Sequence, residues 1–274
     1  MMKEYYQIIR ISEGVFRITA PEEGTYSELI VGREKAALID TAYGIGDLPG
    51  AVRSVTALPL IILNTHSHGD HIGGNGLFTE PIYMGQEDIP NTDYTNSRFF
   101  RQTMIDRVKN KPAGFDEQEY LARGVGDLHP CRDGDVYDLG GMQIRALAVP
   151  GHSVGSRAFY LEEKRYLYTG DNVGPVTLVY GFGSASRKEF VHSLDKMLTL
   201  PFDRIYGAHA AEPYTREQLL FFRRVAAEAD YSKGIPTPSP IRDSENARTC
   251  CAAGMTPADR GKPGYAAVVI DPDP

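Results

Sequence analysis

Residues 64–74 read NTHSHGDHIGG. Within them His66, His68, Asp70 and His71 put three imidazoles and a carboxylate into six residues. The stretch follows an apolar run, LPLIIL at residues 58–63, and closes on a glycine pair, so it reads as a loop delivered by a buried strand. In such a loop the side chains of His66 and His68 converge on one point, while Asp70 and His71 reach a neighbouring one. Neutral imidazole and carboxylate are the ligands that suit zinc and similar divalent ions. A polar surface loop gives no reason for three of the chain's seven histidines to crowd together.

Three later residues share the same placement. His152 follows ALAVPG, Asp171 follows YLYTG and His209 follows RIYGA, each an apolar run ending in a small residue. Ends of neighbouring strands gather at one edge of a sheet, so all seven groups can meet there. That number exceeds the four positions of one tetrahedral ion and implies two metals, with Asp171 best suited to bridge them.

His152 also lies inside GHSVG, residues 151–155, which matches the G-x-S-x-G nucleophile elbow of serine hydrolases with Ser153 as the attacking group. An elbow requires a helix directly after the serine. The sequence that follows, SRAFYLEEKRYLYTG, reads instead as two strands and a turn. His152 is therefore taken as the working residue and Ser153 as a loop residue.

Around these motifs the chain is ordinary for a soluble globular protein, with 42% hydrophobic and 24% charged residues among 274. A net charge of -7 has the wrong sign for a nucleic-acid binder. No apolar run approaches the roughly 20 residues that span a bilayer. The opening MMKEYYQIIRI lacks the apolar core and cleavage site of a signal peptide, which makes a cytoplasmic location the expectation. Cys131, Cys250 and Cys251 lack paired metal-site spacing and read as reduced thiols.

Up to residue 40, YQIIRI, VFRITA, TYSELIV and KAALID, broken by SEG, PEEG and GRE, predict an antiparallel meander. A short helix is expected over residues 47–56. Helical spacing in NSRFFRQTMIDRVKN and FDEQEYLAR points to a helical insertion at about 84–128. Strand signals return at DVYDL, MQIRALAV, RAFYLEE and RYLYTGD. Ser186 with Glu189 and Thr215 with Gln218 then read as capping boxes of two helices on either side of the strand DRIYGAH. The tail, 235–274, is rich in Pro and Gly apart from YAAVVID. Two halves, each strands followed by helices, suit packed sheets flanked by helices.

The motif H-x-H-x-D-H, followed in order by isolated His, Asp and His, resembles the metallo-β-lactamase superfamily over roughly residues 13–225. The resemblance implies an α/β fold, a four-layer αββα sandwich of two mixed β-sheets flanked by helices. It occupies residues 1–230, with 231–274 as an extension packing on the same domain. It also implies that His66, His68 and His152 hold one metal and Asp70, His71 and His209 the other, with Asp171 between. Asp40, in LIDT, matches a position that supports the ligand loop; a turn-forming Asp is the other reading.

The expected activity is hydrolysis of a small ester, thioester or lactone by a metal-bridging hydroxide, with Asp70 ligating and orienting it and two divalent ions, Zn2+ or else Mn or Fe, as cofactors. Asp171 stands where the commonest true zinc β-lactamases have Cys, which directs the resemblance towards the glyoxalase II and lactonase side. A phosphodiesterase, a mononuclear iron persulfide dioxygenase and a non-catalytic metal-binding scaffold are the rival readings. Phe99 and Arg101 of the insertion, and Tyr180 beyond Asp171, are candidates to contact a small-molecule substrate.

Overall fold

Alternating side chains in the first forty residues build the expected meander: β1 (Gln7–Ser12), β2 (Val15–Thr19), β3 (Tyr26–Val31) and β4 (Ala36–Ile39) pair antiparallel in sequence order. The protein is represented by a computed structural model that describes residues 5–20, 23–237 and 244–272. Residues 1–4, residues 21–22 of the PEEG turn and residues 238–243 of the tail lie outside the described residues. Two compact units emerge, Met1–Ala146 with Leu161–Glu163, and Leu147–Tyr160 with Lys164–Pro274.

In the first unit the sheet changes character after β4. Helix α1 (Leu48–Val55) carries the chain over to β5 (Leu60–Leu63), which pairs parallel to β4. The carboxylate of Asp47 caps α1 by accepting from Gly50 N–H at 2.8 Å, as the sequence over 47–56 suggests. After the short helix α2 (Gly69–Ile72) come β6 (Ile82–Gly85), parallel to β5, then the helices α3 (Thr92–Thr95), α4 (Arg98–Arg107) and α5 (Glu117–Ala122). β7 (Leu128–Cys131) closes a seven-stranded mixed sheet, again in parallel. The helices of the insertion thus run from Thr92 to Ala122, and its expected limits, Met84 and Leu128, belong to β6 and β7.

Parallel strands buried on both faces need continuous apolar runs, and AALI and LIIL supply them. Leu38, Ile62 and Ile82 from these strands pack with Leu48 and Val52 of α1 in one core. β8 (Val136–Asp138) forms a hairpin with the start of β9 (Gln143–Ala148).

The second unit contains β10 (Arg157–Leu161) up to Tyr160 and β11 (Tyr166–Gly170), then β12 (Val176–Val179), α6 (Arg187–Leu198), β13 (Arg204–Gly207) and α7 (Arg216–Glu228). β13 pairs parallel to β11, in the order β13-β11-β10. Both predicted capping boxes are present, at Ser186 with Glu189 and at Thr215 with Gln218. Phe190, Leu194 and Met197 of α6 share a core with Leu167, Ile205 and Leu219.

The tail departs from expectation. Besides β16 (Ala267–Ile270), predicted from YAAVVID, it supplies β14 (Ile235–Pro236) and β15 (Arg248–Cys251) to a third sheet, ordered β12-β16-β15-β14. The segment after Asp171, which shows no strand signal in the sequence, contains strand β12, paired parallel to β16. No local pattern announces it, because its partner lies some ninety residues away and β14 and β15 are too short to alternate.

Candidate metal centre

The ligand loop leaves the carboxyl end of β5, beside the carboxyl end of its parallel neighbour β4. In open α/β sheets ligands sit outside that edge of the sheet. Asp40, directly after β4, is buried and adopts φ 58°, an uncommon region for a non-glycine residue. Held there, its carboxylate accepts from Thr65 N–H at 2.7 Å, from Thr65 Oγ1 at 2.7 Å and from His71 Nδ1 at 2.8 Å. Asp40 therefore supports the ligand loop through its carboxylate, which is the first of the two sequence readings.

These bonds set the imidazole tautomers. With its Nδ1 hydrogen given to Asp40, His71 keeps the Nε2 lone pair for a ligand. Thr65 gives its hydroxyl hydrogen to Asp40 and so accepts from His66 Nδ1 at 3.1 Å, which leaves His66 Nε2 with its lone pair. That nitrogen faces His68 Nδ1 at 3.0 Å. Two ring nitrogens pointed at one another suit an ion that takes a lone pair from each. Asp70 lies beside them, its Oδ2 3.8 Å from His71 Nε2 and its side chain 25% exposed.

Residues outside the ligand motif hold the loop in place. Asp88, fully buried, accepts from Ser67 N–H at 3.0 Å. Asn64 and Asn75 exchange amide hydrogen bonds at 3.3 and 2.8 Å, and Thr41 Oγ1 bonds Asn75 Oδ1 at 2.8 Å. The NTHSHGDHIGGN stretch shows both asparagines flanking the motif, whereas nothing in the sequence marks Asp88.

The second unit groups the other three donors. His152 sits in the turn after β9 and is buried. Asn172 Oδ1 accepts from its backbone N–H at 2.9 Å, and its Nδ1 donates to Leu178 O at 2.7 Å, so Nε2 again keeps its lone pair. Asp171 follows β11 and His209 lies two residues beyond β13; the parallel pairing of these strands sets Gly170 against Gly207 and brings the two together. Asp171 Oδ2 is 3.4 Å from His152 Nε2, and its Oδ1 is 3.2 Å from His209 Nε2. Tyr214, which sequence reading did not single out, lies within electrostatic reach of this group; burial pushes its pKa up, His209 opposes the rise and the Asp171 carboxylate adds to it. Its signal is tertiary, an isolated bridge to Ile205.

Each unit thus carries imidazole nitrogens of fixed tautomer beside a carboxylate, a donor set that fits divalent ions. Ser153 is buried, its Oγ is 2.8 Å from Ser156 Oγ, and strand β10 follows it in place of a helix. The elbow geometry is absent there.

The substrate-contact candidates fare differently. Phe99 is 64% exposed at the start of α4, next to Phe100 at a ring distance of 5.4 Å. Arg101 is fully buried and donates to Gly73 O, which places it beneath the ligand loop with no face left for a substrate. Tyr180 is buried against Ala247 and Val269.

A family model described as the metallo-beta-lactamase superfamily matches residues 20–209. The chain belongs to the metallo-β-lactamase superfamily. The mixed sheets with flanking helices are that family's αββα sandwich. This metallo-β-lactamase superfamily chain is 29% identical over 216 residues to the "Lactamase-like protein nscB" of Trichophyton rubrum, covering 75% of the chain and 56% of that protein. It therefore spans little more than half the length of that relative. It is 26% identical over 214 residues to the "Acyl-coenzyme A thioesterase MBLAC2" of Bos taurus, covering 72% of the chain and 77% of that protein. Among solved structures it resembles the metallo-beta-lactamase family protein TTHA1429 from Thermus thermophilus, with a TM-score of 0.56, 25% identity, and coverage of 78% of this chain and 80% of that one. No helix among the described residues is long and apolar enough to cross a membrane.

Proposed function

We propose that the chain is a metal-dependent hydrolase, that its centre is dinuclear and that its seven donors form one site. In this reading His66, His68 and His152 hold one ion, Asp70, His71 and His209 hold the other, and Asp171 lies between. The observation that carries it is the division of labour at Asp171, whose two oxygens face two different imidazoles, His152 at 3.4 Å and His209 at 3.2 Å. A carboxylate disposed in this way serves two ions. All-nitrogen and oxygen ligation favours zinc, with manganese and iron as substitutes.

Bound divalent ions supply an acidified water and an electrophilic pull on a carbonyl oxygen. The chain's own residues do the rest. Asp70, partly exposed beside His71, orients the attacking water and takes its proton at the carboxylate. Asp40 and Leu178 O keep His71 and His152 in the tautomers that hold the Nε2 lone pair ready for a ligand. The substrate is a small acyl compound, and the likeness to an acyl-coenzyme A thioesterase supports a thioester. The net charge of -7 disfavours long polyanions. Reduced thiols at Cys131, Cys250 and Cys251 fit a reducing, cytoplasmic setting.

The test pairs metal quantification with a panel of thioesters, esters, lactones, phosphodiesters and a persulfide. About two ions per chain are expected, with thioester turnover that a chelator abolishes and added Zn2+ restores. One iron per chain with oxygen uptake on the persulfide, or cleavage of phosphodiesters alone, would sink the proposal.

A further inference from the structure

Helices α3, α4 and α5 tie down both segments that position His71. Arg101 Nη1 donates to Gly73 O at 3.2 Å and Nη2 to Asn96 Oδ1. Its guanidinium lies 4.9 Å from the centre of the Tyr120 ring, and that of Arg123 lies 5.0 Å from the same ring. Tyr120, also fully buried, donates its hydroxyl to Tyr43 O at 2.8 Å, while Arg123 Nη1 donates to Gly44 O at 2.6 Å. One aromatic ring between two guanidinium groups therefore joins residues 69–74, which carry Asp70 and His71, to residues 40–46, which begin with the carboxylate that holds His71 Nδ1.

Little slack remains between these segments. A Cβ at Gly44 would stand 2.2 Å from Gly74 Cα, and one at Gly69, between His68 and Asp70, would stand 2.7 Å from Met104 Cε and 3.0 Å from Thr95 O. Thr41 completes the junction, since its N–H donates to His71 O at 2.8 Å.

Among the described residues no carboxylate pairs with Arg101, although it is fully buried. A guanidinium buried in this way carries a desolvation cost that a Met or Leu of similar volume avoids. What arginine supplies that they do not is a rigid fork whose donors hold Gly73 and Asn96 at once.

We propose that Arg101, seated on Tyr120, is a positioning residue that sets the metal affinity of the His71 side of the site from outside the ligand set. The proposal rests on the metal reading above. Groups that orient ligands without touching the metal change affinity about 10- to 100-fold, and Arg101 acts one layer further out, which places its effect at the lower end. Charge works against geometry here, because a cation near a metal ion opposes its binding. Arg101→Lys keeps the charge and breaks only the fork, so it isolates the geometric part.

The experiment measures Zn2+ affinity of the full chain by competition with a chromophoric chelator, alongside the melting temperature of the metal-free form. Arg101→Lys is expected to melt like the wild type and to bind at least one ion about tenfold more weakly. Tyr120→Phe, which keeps the ring and loses the bond to Tyr43 O, should weaken binding less. Arg98→Ala, on the exposed face of α4, should leave affinity unchanged. Should Arg101→Lys fail to fold, Tyr120→Phe is read in its place. Wild-type affinity in the folded variant overturns the inference. An equal loss in Arg98→Ala also overturns it, as does a loss that merely follows a fallen melting temperature. Wild-type protein that binds no Zn2+ overturns the metal reading and this inference with it, whereas a bound wild type and an unaffected variant defeat this inference alone.

Discussion

Asp171 and His152 lie on opposite sides of β10 in the chain, yet the Asp171 carboxylate is 3.4 Å from His152 Nε2. If each oxygen of Asp171 serves a different ion, Asp171→Ala should lower bound metal from about two ions to at most one and depress turnover by two orders of magnitude or more. Metal analysis after dialysis checks this, and full two-ion loading in the variant would contradict the bridge. The neighbouring pair separates two chemistries. His152→Ala should lose metal and activity together, whereas Ser153→Ala, which removes only the 2.8 Å contact to Ser156, should stay within a few-fold of wild-type activity. A dead Ser153→Ala enzyme with full metal content would restore the serine nucleophile. The candidate ligand residues stand out in the sequence because imidazole and carboxylate announce their chemistry locally. Asp40 was readable as a support only through the family resemblance, and Asp88 and Asn172 were not readable as supports, since their partners are 21 and 20 residues away.

Elements deliver these residues, and α6 shows how. Its Ser193 Oγ donates to Pro150 O at 2.7 Å and its Lys196 Nζ to Ala148 O at 3.0 Å, so the helix holds the turn that presents His152. The capping box at its start is reciprocal, Glu189 N–H to Ser186 Oγ at 3.2 Å and Ser186 N–H to Glu189 Oε2 at 3.0 Å. Ser186→Ala leaves the first-turn donor unsatisfied and should cost about 1 kcal/mol of unfolding free energy, read from the urea midpoint of the whole chain. An unchanged midpoint would show that packing of Phe190 and Leu194 alone sets the helix. Capped, strongly periodic helices such as α6 and α7 were foreseen to within a residue or two, because cap chemistry is local. β12, β14 and β15 were not, because a strand of two to four residues is defined by its partner more than by its own pattern.

For the whole molecule, stability should respond to pH through a buried carboxyl outside the ligand set. Glu23 is buried, its oxygens accepting from Tyr6 Oη at 3.1 Å, Tyr43 N–H at 3.1 Å and Ile45 N–H at 3.3 Å. Burial pushes its pKa from 4.5 to about 7, against the pull of those hydrogen bonds. Between these values the folded state keeps a proton that the unfolded chain has released, so stability is greatest below about 4.5 and falls as pH rises towards about 7. The full shift corresponds to about 3 kcal/mol. Urea midpoints at pH 5 and pH 8 should therefore differ less in Glu23→Gln than in the wild type, and equal differences in the two proteins would refute the assignment.

By itself the sequence determined the family through the clustered H-x-H-x-D-H motif, and through that resemblance the αββα architecture, while hydrophobic period and helix caps, which act over a few neighbouring residues, marked the individual elements. Only the tertiary structure decided what each polar group does next. Arg101 and Tyr180 carried the same surface chemistry in the sequence as Phe99 carried apolar area, yet folding buried both polar side chains and left Phe99 exposed. It also joined Asp40 to His71, 31 residues apart, in a hydrogen bond that sets a tautomer. Burial and hydrogen-bond pairing depend on which distant strands and loops come together, and no window of sequence contains both partners.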